Sequence, residues 1–152
     1  MNILGIRCSN KNFSYVVMNG SKKNPVIVAS DSLAYPKNFA RPRSLLWFTQ
    51  EVEQLIKKHD IGSVVMKRFE GRSRGGSFEE RVECEAMGYL VCAKCGITAV
   101  RKKVKSTIAK DFGLKGRAHY LETGLDVSVI PAFSSYADKE QEAVLCAWSE
   151  LK

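Results

Sequence analysis

Over the first thirty positions the apolar residues come in short runs. Residues 1–6 and 13–18 are two such runs, separated by Ser9-Asn10-Lys11-Asn12, a turn-forming break that predicts a hairpin. Asn19-Gly20-Ser21 marks a second turn and residues 26–29 a third strand, so the chain opens as an antiparallel meander. After a loop with Pro36 and Pro42 the period changes. Leu45, Phe48, Val52, Leu55 and Ile56 recur at three and four residues, predicting an amphipathic helix over 44–59 with Gly62 shortly beyond its end. Residues 62–66 form a compact apolar run after that helix and predict a buried parallel strand.

Residues 70–77 contain three glycines and two arginines and predict a loop. Ser77 followed by Glu80 has the spacing of a capping box, behind which Phe78, Val82, Ala86, Tyr89 and Ala93 keep helical spacing up to a cap at Gly96. Residues 97–104 predict a strand with a basic exit, and 106–112 a short helix closed by Gly113. Asp138 and Gln141 open a last helix with Val144, Ala147, Trp148 and Leu151 as its inward stripe; residues 115–137 carry no assignable pattern. The order β-β-β-α-β-α-β-α-α predicts an α/β domain over residues 1–152: a three-strand antiparallel meander plus parallel strands, flanked by helices.

With 45% hydrophobic and 26% charged residues, the composition excludes a disordered or low-complexity chain. No apolar run approaches the roughly 18–20 residues of a membrane span, and the start lacks the pattern of a secretion signal. The five cysteines show no framework spacing, so reduced thiols and a cytoplasmic location are expected. Charge adds more. The net +8 is uneven: +5 over residues 1–62, +7 over 63–117 and −4 over 118–152. A basic surface over three quarters of the chain suits a polyanion such as nucleic acid, or an acidic protein; a merely solvated basic face is the alternative.

Most candidate chemistry reads as structural. Cys92 and Cys95 have C-x-x-C spacing but no second ligand pair for zinc, and they close a helix rather than open one, so they are expected to be plain thiols. Cys8 and Cys146 lie in apolar contexts and are expected in the core. His59 sits at a helix end, where the dipole favours it, and His119 has no identifiable nucleophile beside it. Trp47, Phe48 and Trp148 fit helix stripes rather than a base-stacking platform. No cofactor is expected.

The element order resembles the ribonuclease H-like fold, and within it the RuvC-type resolvases. The matching stretches are Ile3-Leu-Gly-Ile6, Ser63-Val-Val-Met66, residues 104–118 (VKSTIAKDFGLKGRA) and residues 138–148 (DKEQEAVLCAW). The stretch KRFEGRSRGGSFEE from Lys67 is also similar to a small bacterial family of unknown function with the same fold. Active enzymes of this fold gather carboxylates to hold two divalent cations about 4 Å apart. The resemblance implies an aspartate at the end of the first strand and a glutamate at the end of the fourth; Arg7 and Lys67 stand there. Magnesium requires anionic oxygen ligands, and a like-charge contact near 4 Å costs about 4 kcal/mol at an effective dielectric of 20.

A catalytically degenerate domain is therefore expected, with a cationic pocket in place of a metal centre. Arg7 and Lys67 would stand at adjacent strand ends, with Arg68, Arg72 and Arg74 on the following loop and Arg101, Lys102, Lys103 and Lys105 at the fifth-strand exit. Arginine can grip phosphate or carboxylate with two donors at once. The alternative is that Arg7 or Lys67 pairs with Glu83, Glu85 or Asp138 in a structural salt bridge. Glu83, Glu85, Asp138 and Glu142 are the weak catalytic candidates for a rearranged nuclease site. Asp138 and Glu142 are one helical turn apart, but Asp138 is also placed to cap the last helix. No metal is expected.

Overall fold

The structure, a computed structural model, describes residues 1–70 and 77–152, with Ser77 described for its backbone alone. Arg72, Arg74 and the expected Ser77 side-chain cap lie outside the described residues. Strands β1 (Asn2–Cys8), β2 (Asn12–Gly20) and β3 (Pro25–Ala34) form the expected meander, turned at Ser9, whose N–H donates to the Asn12 carbonyl at 2.9 Å. Helix α1 (Arg41–Lys58), strand β4 (Ile61–Lys67), helix α2 (Ser77–Lys94) and strand β5 (Val100–Lys103) follow. The sheet order is β3-β2-β1-β4-β5, with β1, β2 and β3 antiparallel and β4 parallel to both β1 and β5.

Strand parity divides the core into two layers. Leu4, Ile6, Val64 and Met66 face α1 and α2, packing on Phe48, Val52, Leu55 and Cys92. Ile3 and Val65 face the other layer. That layer is built from helices α3 (Lys105–Asp111), α4 (His119–Gly124) and α5 (Asp138–Glu150). Between α4 and α5, single 3-10 turns at Val127–Val129 and Phe133–Ser135 carry the chain. The segment 115–137 that showed no pattern thus holds α4 and two turns, anchored in the core by Leu121, Ile130 and Phe133.

Two glycines fix how the helices close and pack, one of them, Gly96, at the cap expected from the sequence. Gly96 has φ +74° and closes α2 with a Schellman pair: its N–H donates to the Ala93 carbonyl and the Ile97 N–H to the Cys92 carbonyl. Gly5 lets α5 lie on the sheet, since a Cβ there would fall 2.2 Å from the Ala143 carbonyl oxygen.

Three expectations fail. Asp60, with φ 48°, rather than Gly62, takes the left-handed turn after α1. Asp138 does not cap α5: Ala137 is the capping residue, without a side-chain bond, and the Gln141 amide instead donates to the Phe133 and Tyr136 carbonyls. The α2 stripe Phe78, Val82, Ala86, Tyr89 and Ala93 faces solvent; the helix buries Arg81, Cys84, Glu85, Gly88, Val91 and Cys92. Close approach decides this, because a Cβ at Gly88 would meet the Met66 sulfur at 2.4 Å and only a small residue fits there. No helix is long and apolar enough to cross a membrane among the described residues.

Gly5→Ala must push α5 off the sheet. It should lower unfolding stability by about 3 kcal/mol, read as a reduced urea midpoint with an unchanged slope.

Candidate functional site

Ile6 pairs with Met66 in the parallel β1–β4 ladder, so Arg7 and Lys67 stand side by side at the C-terminal ends of neighbouring strands. The sequence expectation of adjacent cations holds. Parity points both toward the α5 layer, and it also sets their partners. Arg7 Nε donates to Glu142 Oε2 at 2.7 Å, and Nη1 donates to the Cys8 carbonyl. Lys67, 2% exposed, donates to the Arg68 carbonyl at 2.9 Å and pairs with Glu70.

Glu70 Oε2 also accepts from the Lys105 N–H at 3.1 Å, while Lys105 Nζ lies 3.7 Å from Glu142 Oε1. From the first turns of α2, Arg81 completes the group. These residues line a cavity of about 210 Å³. Four cations face two carboxylates there, a formal excess of two positive charges. Asp138 and Glu142 share a face as the sequence suggested, lining a neighbouring cavity of about 350 Å³ with Lys105 and apolar Leu121, Phe133 and Leu145.

The expected salt-bridge partners are corrected. Glu83 sits on the α1 side, where Arg41 Nε donates to it at 2.7 Å. Glu85 accepts from the Phe69 N–H at 3.0 Å and lies 3.4 Å from Lys102 Nζ. Neither pairs with Arg7 or Lys67: Glu83 is taken by Arg41, and Glu85 by the Phe69 N–H and Lys102, so that of these α2 side chains Arg81 is the one that lines the cavity. Ion pairing at the sheet end is real, but with Glu142 and Glu70.

The basic strand exit divides by the same parity. Arg101 pairs with Glu150 at 3.0 Å, and Lys102 turns to Glu85 and the Tyr89 ring. Lys103, expected on an exposed grip, is instead buried between Asp111 at 2.8 Å and Glu150 at 2.7 Å, and donates to Ser149 Oγ at 3.0 Å. Arg68 and Lys105 keep exposed side-chain surface. Cys8, Cys92 and Cys146 are buried, His59 caps α1 and His119 is exposed at the start of α4. No three His, Cys, Asp or Glu side chains are close enough to hold a metal among the described residues. At the strand ends, ammonium and guanidinium groups already bond the carboxylates, so the residues present do not fit a two-cation centre.

No protein-family model and no curated protein sequence matches the chain. Solved structures do. Thermus thermophilus RuvC superposes with a TM-score of 0.76 at 7% identity, over 98% of this chain and 92% of that one. The same protein in complex with a Holliday junction substrate gives 0.75 at 9% identity, over 98% and 91%. The yeast mitochondrial Holliday junction resolvase gives 0.62 at 15%, over 97% and 76%. This chain has the RuvC-type ribonuclease H-like fold. Identities this low carry the fold alone, so on this RuvC-type frame the site rests on its own residues.

Sequence reading missed two members of that site, Glu70 and Arg81. Glu70 is hidden in a loop pattern. The signal for Arg81 is the charged i, i+4 pair Arg81–Glu85, which falls between small residues on the face of α2 opposite its apolar stripe.

Burial alone would raise the Glu142 carboxyl. The Arg7 hydrogen bond and the charges of Arg7, Lys67 and Lys105 outweigh burial and hold it below the usual 4.5. A carboxylate depressed in the folded state contributes stability above its unfolded value, lost as pH falls through the folded one. Glu142→Gln should therefore be less stable than wild type at pH 7, with the gap in urea midpoint closing below about pH 4.5; a gap constant from pH 7 to 3 would contradict this. Lys103→Ala leaves two carboxylates facing each other and should cost about 3 kcal/mol in thermal or urea unfolding, the behaviour of a broken buried pair.

Proposed function

We propose that this domain binds nucleic acid through its phosphates and does not cleave it by a two-metal reaction. One observation carries the reading: the paired ends of β1 and β4 present Arg7 and Lys67, with Lys105 and Arg81 beside them. A RuvC-type sheet end lined this way attracts phosphate directly, without bridging metal ions. The net +8 charge and its concentration before residue 118 support a polyanionic partner. So does the likeness in fold to a protein solved with a Holliday junction.

Glu142 positions Arg7 and Lys105 rather than serving as a base, because its two oxygens are directed at those cations. Arg68 adds exposed positive charge next to the cavity that Lys105 lines, and Arg72 and Arg74 add charge to the following loop in the sequence.

The test is binding of a four-way junction and a plain duplex across a salt series. Affinity should fall steeply, since each neutralised phosphate releases condensed counterion. Arg68→Ala with Lys105→Ala should flatten the slope of log affinity against log salt by up to about two units, one per lost contact. Neither substrate should be cut with magnesium or manganese. Cleavage that survives repurification and disappears in Asp138→Ala or Glu142→Ala would establish a rearranged nuclease site instead. Capture of an acidic protein, with no nucleic-acid binding at low salt, would also overturn the reading.

A further inference from the structure

One guanidinium in the site is buried and lacks a counterpart. Arg81 is 6% exposed, and among the described residues neither its Nε nor its Nη2 has a hydrogen-bond partner. These two N–H groups lie along one edge of the guanidinium, the edge that grips two oxygens of a phosphate or carboxylate together. A buried donor without an acceptor is rare in a folded protein, and a bound ion is one of its regular explanations.

Among the described residues the surroundings supply no acceptor for that edge. Arg81 stacks 4.8 Å from the centre of the Phe69 ring. Glu85 is bonded to the Phe69 N–H and Lys102, while Glu142 is held by Arg7 and Lys105. Glu70 is taken by Lys67 and the Lys105 N–H. Glu80, also short of a partner at Oε2, lines a different cavity with Tyr35 and Arg41. Burial first, and then the charge of Arg7, push the Arg81 pKa down. Glu85 and Glu142 oppose that shift through their charge, but neither bonds the Nε and Nη2 edge.

We infer that this cavity is a phosphate-monoester site, in which Arg81 turns its unbonded Nε and Nη2 edge, closed to solvent in this structure, onto two phosphoryl oxygens, and Arg7, Lys67 and Lys105 supply the compensating charge. A monoester carries close to two negative charges at neutral pH, equal to the excess in the cavity; an internucleotide diester carries one. Depth favours the same choice. With Lys67 at 2% and Arg81 at 6% exposure, the cations lie at the bottom of a recess that a strand end can enter and a continuous backbone must span. A terminal phosphate of a nucleic-acid strand is the source that rests on the nucleic-acid reading above. Free phosphate shares the chemistry without it.

The experiment has two arms. In the first, two oligonucleotides of identical sequence, one 5′-phosphorylated and one 5′-hydroxyl, are compared by fluorescence anisotropy at matched ionic strength. The phosphorylated strand should bind about tenfold more tightly, the effect of a charged two-donor contact. Arg81→Gln and Arg81→Lys should both abolish the difference; lysine keeps a cation but not the two-oxygen edge, so it decides the matter if glutamine prevents folding. In the second arm, inorganic phosphate should raise the thermal midpoint of the wild type above a chloride control of equal ionic strength, and not that of either variant.

Equal affinity for both strands, with no stabilisation by phosphate, overturns the inference and leaves nucleic-acid binding standing. Phosphate stabilisation of the wild type alone, with no oligonucleotide bound, supports the inference, overturns the nucleic-acid reading and names free phosphate as the source. Equal stabilisation of wild type and Arg81→Gln overturns it as well, since Arg81 then plays no part.

Discussion

Helix α5 lies so close to β1 that a methyl group at Gly5 would strike the Ala143 carbonyl. Much of the site depends on that contact. It sets Glu142 against Arg7 at the start of the helix and Glu150 against Lys103 and Arg101 at its end. A helix one side chain further away could not bring carboxylates to cations that project from the sheet surface. The apolar residues between, Val144, Ala147 and Trp148, fix the same spacing from the core side.

Strand alternation then divides the charge. Arg101 and Lys103 face the α5 layer and find Glu150; Lys102 faces α2 and finds Glu85. A run of three cations that reads as one basic patch is thus distributed over two layers and neutralised within the fold. At the strand ends the division leaves an excess among the described residues, because Arg7, Lys67 and Lys105 share Glu142 and Glu70 while Arg81 arrives from α2 without an ion pair. The recess thus holds an excess of two positive charges within the net +8 of the chain.

That recess occupies the end of the sheet where a RuvC-type enzyme gathers carboxylates for metal ions. A frame that brings three elements to one point favours whatever chemistry their residues carry. Cations rather than anions at the ends of β1 and β4 keep the convergence and reverse its sign.

The sequence by itself determined the meander, the strand–helix alternation and the stripes of α1 and α5, because period and spacing are local properties of the chain; the adjacency of Arg7 and Lys67 was implied by the family resemblance and depends on the long-range pairing of β1 with β4. Segment 115–137 stayed unread because its helix has fewer than two turns and its 3-10 segments one each, too short to show a period. The stripe of α2 misled because periodicity reports that a helix is amphipathic, not which face the sheet will take; Gly88 against Met66 settled that. Ion-pair partners were likewise decided only in three dimensions. The sequence offers Glu83, Glu85 and Asp138 to Arg7 and Lys67; in the fold Arg7 takes Glu142 from α5, while Glu85 turns to Lys102 and Glu83 to Arg41.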